Sequence, residues 1–173
     1  MKYLFESESL GFRRFKISDV EKVYTHHNEQ SLKKWIPNES YENLDEATDA
    51  IKFFGECYDK RKLPFVLAIE EKRTQEIIGD TGINEAPGGI EIGYSIRESH
   101  QGNGYATETV KAMTKYVCQI FSVNVLFGRV MNGNNASCKV MDKTGYRFIR
   151  EEFGAEDDPY GKGMLVYELD SAN

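Results

Sequence analysis

Residues 101–106 read Gln-Gly-Asn-Gly-Tyr-Ala, and they lie between a predicted strand that ends near Ile96 and a predicted long helix that starts near Ala106. Two glycines in a strand-to-helix turn allow the backbone to approach a ligand closely. The first amides of the helix have no intrahelical acceptor, and the helix dipole adds positive potential there. The turn is therefore predicted to bind a phosphate or pyrophosphate group, with a plain tight connection as the alternative. The dinucleotide fingerprint G-x-G-x-x-G does not fit, because Thr107 occupies its last position.

Hydrophobic periodicity on both sides of this turn predicts an α+β domain of about seven strands and about four helices. The helix after the turn is the clearest element, because Val110, Met113 and Val117 recur at a spacing of three to four residues. Ser18 and Asn43 stand where two further helices would be capped. The predicted strands are 10–15, 65–69, 77–83, 90–96, 123–131, 146–151 and 164–169, and the predicted helices are 18–27, 43–58, 106–121 and 136–144, the last ending at a left-handed Gly145.

Length and charge set the class of protein. The 173 residues suit one domain, predicted to span residues 1–173. With 22 basic and 28 acidic residues the net charge is -6, which disfavours binding to nucleic acid and favours a cationic or amine-bearing partner. No apolar run approaches the roughly 18 residues of a membrane span, so no membrane association is expected. The first ten residues lack the apolar stretch of a secretory signal, and a cytoplasmic protein is expected.

Neither the cysteines nor the histidines have the spacing of a metal site. Cys57, Cys118 and Cys138 are far apart and form no C-x-x-C pair, so neither a zinc site nor a disulfide framework is expected. His26 and His27 are adjacent and would point away from each other on a helix. They are predicted to be surface histidines, and no metal is expected.

Two motifs resemble those of the GNAT N-acetyltransferases. Gln101, Gly104 and Ala106 fill the pattern Q/R-x-x-G-x-G/A, which resembles the acetyl-CoA pyrophosphate loop of that superfamily. Residues 135–146, NASCKVMDKTGY, resemble its motif N-x-x-S-x-x-V-x-x-K-x-G-F, in the form typical of the RimJ/RimL branch that acetylates ribosomal-protein N-termini. Residues 79–83 and 91–94 also match strands of that branch, and the resemblance runs in order from about 10 to 169.

The resemblance implies a mixed, mostly antiparallel sheet in which two neighbouring parallel strands, near Ile96 and Val125, splay apart to admit acetyl-CoA. The residues implied to bind this cosubstrate are Tyr94, Ser95, Ile96, Gln101, Gly102, Asn103, Gly104, Tyr105, Ala106, Thr107, Asn135 and Ser137. Asn135 could instead cap the short helix, and Ser137 could be a first-turn hydroxyl.

Acyl transfer to an amine needs a base for the amine, a donor for the oxyanion and a proton for the departing thiolate. Glu91 is the candidate base, because it lies on the strand beside the thioester and matches an acidic position of the branch. An exposed strand glutamate paired with a lysine is the alternative. Many GNAT enzymes carry a tyrosine general acid at the position that Met141 occupies here, so that role does not transfer. Ser137, Tyr94 or solvent would supply the proton.

The acceptor side has weaker signals. Trp35 and Tyr41 lie in the predicted loop between the first two helices, which in this superfamily faces the acceptor. An aromatic side chain there could contact a substrate cation, although core packing is the commoner fate of a lone tryptophan. Glu85 and residues 157–160 lie in predicted loops that could line the rim, and solvated surface charges are the alternative.

The function implied is an acetyl-CoA-dependent N-acetyltransferase that acts by direct transfer in a ternary complex. Its acceptor would be a primary amine, either a small molecule or a protein N-terminus, and a homodimer is a possible assembly. Two alternatives stay open at this point. One is a non-catalytic CoA-binding sensor or scaffold module, and the other is a nucleotide-phosphate binder that uses the same turn.

Overall fold

The structure is a computed structural model that describes residues 2–172, so the ends of the predicted domain, Met1 and Asn173, lie outside the described residues. The strands are β1 (Phe5–Glu6), β2 (Leu10–Arg13), β3 (Phe65–Glu71), β4 (Glu76–Ala86), β5 (Gly89–Ile96), β6 (Val125–Met131), β7 (Arg147–Glu152) and β8 (Met164–Asp170). The helices are α1 (Val20–His27), α2 (Gln30–Trp35), α3 (Leu44–Asp59), α4 (Tyr105–Phe121) and α5 (Asn135–Lys143). Short 3-10 turns lie at Ile17–Asp19, Pro37–Glu39 and Glu98–His100.

The eight strands form one mixed sheet in the order β1-β2-β3-β4-β5-β6-β8-β7. Neighbouring strands are antiparallel except β5 and β6, which are parallel. The predicted α+β class is confirmed, although the described residues hold one strand and one helix more than expected. The additions are β1, which has two residues, and α2, which has six. Both are too short to show a hydrophobic period.

Helices cover both faces of the sheet. On one face, Val110 and Met113 of α4 pack in the main core with Ile92 and Ile96 of β5. On the other face, α1 and α3 pack a smaller core around Ala68 of β3. Burial of these apolar faces supplies the main favourable term in folding. The strands between them are thereby held as a rigid frame for side chains on either side.

Strands β5 and β6 separate part of the way along their length. Their ladder runs from the pair Ile90 and Leu126 to the pair Ile92 and Gly128. Beyond that point, residues 93–96 of β5 have no ladder partner on β6 within the described chain. The predicted splay of this parallel pair is therefore confirmed, and it opens toward the end of β5 that leads into residues 101–106.

The helix starts were predicted with mixed success. Asn43 caps α3 as expected, since its side chain accepts the amide of Glu46 at 2.9 Å. Ser18 does not cap α1, because it lies inside a 3-10 turn whose Asp19 carboxylate accepts the Lys16 amide at 2.7 Å. Within residues 2–172, no helix combines the length and the apolar character that crossing a membrane would need.

Candidate active site

The glycine-rich turn has the backbone conformation that its sequence favours. Gly102 and Gly104 have φ angles of 78° and 79°, in the left-handed region that glycine tolerates best. At both positions nothing lies within 4 Å of where a Cβ would be, so the space beside the turn is open. Gly104 is the N-cap of α4, and the amides of residues 105–107 therefore have no intrahelical acceptor. The turn can receive an anion through its backbone.

Side chains in and beside the turn hydrogen-bond to neighbouring parts of the protein. Gln101 Nε2 donates to the carbonyl of Ile96 at 2.9 Å, which ties the turn to the end of β5. Asn103 Nδ2 donates at 3.0 Å to the carbonyl just before the turn. The Tyr105 hydroxyl donates at 2.6 Å to a carboxylate on β3. These side chains are engaged with protein, and the backbone amides are the groups left for a ligand.

Two asparagines at the start of α5 have different environments. Asn134 is the N-cap, and its Oδ1 accepts the amide of Ser137 at 3.3 Å. The alternative that Asn135 caps this helix is therefore wrong. Asn135 is the first residue of α5 and is exposed, and its side chain makes no hydrogen bond to any of residues 2–172. Its amide group is available to a ligand in the splay.

A hydroxyl pair connects α5 to the separated part of β5. Tyr94 and Ser137 share a hydrogen bond of 2.7 Å between Oη and Oγ. Burial raises the pKa of Tyr94, and the hydrogen bond from Ser137 opposes that rise. Met141 is buried, and its sulfur occupies the space beside Gly128 on β6. The residue at the usual tyrosine position thus packs in the core, while Tyr94 and Ser137 offer hydroxyl protons at the splay.

Glu91, Gly93 and Ser95 lie on the face of β5 opposite to Tyr94, because successive side chains of a strand point to opposite faces. Gly93 is exposed, and nothing lies within 4 Å of where its Cβ would be. Its φ lies outside the left-handed region, so backbone conformation does not demand a glycine here. The open space over Gly93 is flanked by a carboxyl group on one side and a hydroxyl group on the other. This space can hold the reacting end of a substrate at the point where the splay begins.

Negative charge collects around Arg129 on β6. The guanidinium binds Asp157 through two hydrogen bonds of 2.5 and 3.1 Å and lies 3.4 Å from Glu152. Glu91 is half-buried, and burial raises its pKa; Arg129 opposes the rise, whereas Asp157 and Glu152 add to it. Burial and neighbouring carboxylates also raise the pKa of Glu39, to about 7. The alternative of an exposed Glu91 paired with a lysine is wrong, because Glu91 is half-buried and its neighbouring cation is Arg129.

The two histidines at the end of α1 are not on the surface, contrary to expectation. His26 and His27 are 3% and 4% exposed. His27 Nε2 bonds the Asp80 carboxylate at 2.5 Å and His27 Nδ1 bonds the carbonyl of Glu39 at 2.7 Å. Burial acts to lower the pKa of His27, but the Asp80 carboxylate outweighs it and raises the pKa to about 9. Since both ring nitrogens face acceptors, His27 is a buried cation paired with Asp80.

His26, His27 and Asp80 also raise the question of a metal. Their ligand atoms lie within 4.8 Å of one another, which is close enough to surround an ion. However, each of these groups already has hydrogen-bond partners, including the Ser95 hydroxyl, which donates to Asp80 at 2.8 Å. Hydrogen bonding therefore accounts for the arrangement without a metal.

The two aromatic residues suggested for the acceptor occupy different positions. Trp35 ends α2 rather than lying in a loop, and it belongs to neither core. The ammonium groups of Lys34 and Lys162 lie 4.5 and 5.1 Å from the centre of its ring, so the chain's own cations cover it. Tyr41 packs 5.1 Å from His27, ring centre to ring centre. Of the two, Tyr41 lies beside the buried pair of His27 and Asp80, and Trp35 contacts the loop before β8.

We expect the His27–Asp80 pair to make stability depend on pH. The folded pKa of His27, about 9, exceeds its unfolded value of 6.5, so the stabilisation is complete below about pH 6.5 and is lost as pH rises through about 9. The loss should be on the order of a few kcal/mol. Urea unfolding of the wild type between pH 6 and 10 measures it. His27→Gln, which cannot carry the charge, should have a flatter profile over this range, and equal slopes would contradict the pairing.

Sequence reasoning missed several of these residues. Gly93 did carry a signal, since a lone glycine inside a strand often marks a close approach by another group. Arg129 and Glu39 carried none, because their partners are far away in the sequence. Asp80 lies within the strand motif of residues 79–83, and its burial beside two histidines depends on the tertiary fold.

Comparisons with known proteins bear on the family and the fold of the chain. The family model described as "Acetyltransferase (GNAT) domain" matches residues 9–147. The chain is 25% identical over 164 residues to the "Uncharacterized N-acetyltransferase YoaA" of Bacillus subtilis (strain 168), covering 91% of this chain and 92% of the relative.

Two solved structures show the same fold at low sequence identity. One is a ribosomal-protein-S5-alanine acetyltransferase from Vibrio fischeri, with a TM-score of 0.83, 18% identity, and coverage of 98% of this chain and 97% of that one. The other is RimL, a ribosomal-protein alpha-N-acetyltransferase in complex with coenzyme A, with a TM-score of 0.81, 17% identity, and coverage of 96% and 97%.

Proposed function

The chain belongs to the GNAT acetyltransferase family, and on this premise we propose that it transfers the acetyl group of acetyl-CoA directly to a primary amine in a ternary complex. Family membership supports acetyl transfer. The nature of the acceptor and the roles of individual residues are our proposals, argued from the two faces of β5.

Acetyl-CoA would bind on the face of the sheet covered by α4 and α5. Its pyrophosphate would accept hydrogen bonds from the amides of residues 102–107 at the start of α4. Its pantetheine arm would lie in the splay, along the backbone of residues 94–96, where β5 has no ladder partner on β6. The unpartnered Asn135 amide would hydrogen-bond this arm, and Ser137 would lie near the sulfur. No metal is part of this proposal.

The acceptor would bind on the other face, over Gly93. Glu91 lies two positions before Gly93 on this face, and its carboxyl group interacts with those of Glu39 and Asp157 and with the guanidinium of Arg129. An excess of carboxylates favours an ammonium group over a carboxylate. Both a protein N-terminus and a small-molecule amine would meet this requirement.

The chemistry follows from these positions. Glu91 would take a proton from the ammonium group, so that the neutral amine can attack the thioester carbonyl. A backbone amide near Ile96 would stabilise the oxyanion. Either Ser137 or Tyr94 would give a proton to the CoA thiolate as the C–S bond breaks. The two hydroxyls share a hydrogen bond of 2.7 Å in which one donates and the other accepts, so the accepting hydroxyl keeps its own proton for the thiolate.

The observation that carries the proposal is the open space over Gly93, on the opposite face of the same strand segment from Tyr94, where the parallel strands part. The test is an acceptor screen that measures release of free CoA from acetyl-CoA. Its panel would contain peptides with free N-termini, polyamines, aminoglycosides and amino acids. We expect release with at least one cationic amine, and acetyl-CoA binding without release across the panel would favour a non-catalytic module.

The paired asparagines at the start of α5 allow a matched prediction. Asn135→Ala should weaken acetyl-CoA binding by about tenfold, or about 1.4 kcal/mol, with no loss of thermal stability, because its side-chain amide has no hydrogen-bond partner among residues 2–172. Asn134→Ala should do the reverse, since it removes a helix cap worth about 1 kcal/mol. Calorimetric titration and thermal unfolding of both variants check this. If Asn135→Ala loses stability and keeps its affinity, the assigned role is wrong.

A further inference from the structure

His26 lies in a series of hydrogen bonds that reaches Ser95 of β5, on the same face of the strand as the proposed amine position. His26 Nδ1 faces the Glu29 carboxylate at 3.1 Å, and His26 Nε2 faces the Ser95 hydroxyl at 2.7 Å. The Ser95 hydroxyl lies in turn 2.8 Å from Asp80, which is bonded to His27. His26, His27, Asp80 and Ser95 are all buried.

This series of hydrogen bonds has one hydrogen fewer than its contacts need. Three contacts join Glu29, His26, Ser95 and Asp80, and each needs one hydrogen. The two carboxylates can only accept, a neutral imidazole has one N–H, and the serine has one O–H. Two hydrogens therefore serve three contacts. A proton added to His26 would complete all three, and it would leave charges alternating along the chain: Glu29 negative, His26 positive, Asp80 negative.

The resting protonation state of His26 leaves one ring nitrogen free to receive that proton. Burial lowers the pKa of His26 and the neighbouring His27 cation adds to this effect, while Asp80 and Glu29 oppose it. His26 is therefore neutral at rest. The charged and titratable groups that face it from the surrounding elements are Lys22 and His27 of α1, Glu29 after α1, Asp80 of β4, and Arg97 and Glu98 after β5.

Acetyl transfer to an ammonium ion needs two proton acceptors, because the nitrogen loses two protons in turn. An amine that arrives as an ammonium ion loses one proton before it attacks the thioester. The tetrahedral adduct then carries a positive nitrogen, which loses a second proton as the amide forms. Glu91 lies on one side of Gly93 and can take the first. Ser95 lies on the other side, at a Cα spacing of roughly 7 Å from Gly93 along the same face.

We propose that Ser95, backed by His26, takes the second proton; this proposal rests on the proposed acetyl transfer to an amine. The Ser95 hydroxyl, which donates to Asp80 at rest, turns toward His26 and passes its proton to Nε2, while the adduct nitrogen gives its proton to Ser95 Oγ. The nitrogen keeps the electron pair, the C–S bond breaks, and the pair on sulfur takes a proton from Ser137 or Tyr94. Before the next turnover Glu91 and His26 release their protons to solvent, and the hydroxyl that protonated the sulfur regains one.

The test is single-turnover acetyl transfer by the full chain with saturating acetyl-CoA and an active amine from the screen. His26→Gln keeps hydrogen bonding but cannot gain a proton, and Ser95→Ala breaks the chain. Both should slow the acetyl transfer step about tenfold or more, with unchanged affinity for acetyl-CoA. In the wild type, both Glu91 and His26 must be deprotonated, so the acid limb of the rate profile should have a slope of about two, falling to about one in His26→Gln.

A second readout is the solvent isotope effect, and its first measurement is made on the wild type, so that this result does not depend on how the variants fold. Rates in mixtures of light and heavy water should curve with isotope fraction, because two protons move together through Ser95, and Ser95→Ala should make the plot linear. Thr25→Ala, an exposed neighbour on α1, is the matched control and should behave as wild type. Wild-type transfer with a linear plot, or His26→Gln with an unchanged rate and slope, overturns the relay. No transfer by the wild type to any amine would instead overturn the proposed function.

Discussion

Replacement of Glu91 by glutamine should lower kcat for acetyl transfer by about 10² to 10⁴ at neutral pH, the usual contribution of general-base catalysis. Glutamine keeps the shape and the hydrogen bonding of glutamate but cannot accept a proton. The deficit should shrink as pH rises toward the pKa of the amine, because more of the acceptor then arrives without its proton. Steady-state kinetics from pH 6 to 10 would measure this.

The raised pKa of Glu91 determines how the wild-type rate of acetyl transfer changes with pH. Below that pKa the carboxyl group is protonated and cannot act as a base, so the wild-type rate should rise with pH through it. Glu76→Gln changes an exposed glutamate at the far end of β4 and should leave kcat unchanged. Near-native kcat for Glu91→Gln across the whole range would show that positioning of a neutral amine is the main contribution of the enzyme.

Replacement of Gly93 by valine should abolish most of the amine acetylation without harming the fold. The backbone at this position lies outside the left-handed region, and a Cβ would meet nothing within 4 Å. Valine also favours strands, so the free energy of unfolding should stay the same or rise. The new side chain would fill the space assigned to the amine, and displacement of a reacting group by about 1 Å costs on the order of 10² in rate.

The expected signature is a loss of at least about 10² in kcat/KM for the amine, with unchanged calorimetric affinity for acetyl-CoA on the other face of the sheet. Gly55→Ala, in α3 and away from both faces of the splay, serves as the control for a glycine replaced without strain. Retention of full activity in a folded Gly93→Val protein would remove the amine from this position.

The parts of the site that rest on local backbone chemistry could be predicted from the sequence. The glycines at 102 and 104 adopt left-handed conformations, and so does Gly145 after α5, because few other residues accept them. The periodic helix α4 and the strands β3, β4 and β5 were also recognisable from their apolar patterns. In each case the deciding residues lie within one short window of sequence.

The buried polar network could not be predicted, because its partners are distant along the chain. His27 bonds a residue 53 positions away, and His26 bonds one 69 positions away. Adjacency on a helix predicted that the two rings point away from each other, and this is wrong, because their centres lie 5.2 Å apart in an edge-to-face contact. The sheet packed against α1 brings both rings to neighbouring partners, Asp80 and Ser95. The cap of α5 is Asn134 and not Asn135, which was the alternative interpretation, since two neighbouring asparagines are equivalent at the level of sequence.

In the proposed reaction, the amine is acetylated over Gly93 by acetyl-CoA held in the splay on the other side of β5. The most direct measurement is the yield of N-acetylated amine, by mass spectrometry, for each free CoA released in a single turnover by the wild type and by Gly93→Val. We predict one acetylated amine per CoA in the wild type, no acetyl group left on the protein, and a rate at least about 10² lower in the variant. CoA release without acetylated amine, or equal rates in the two proteins, would contradict it.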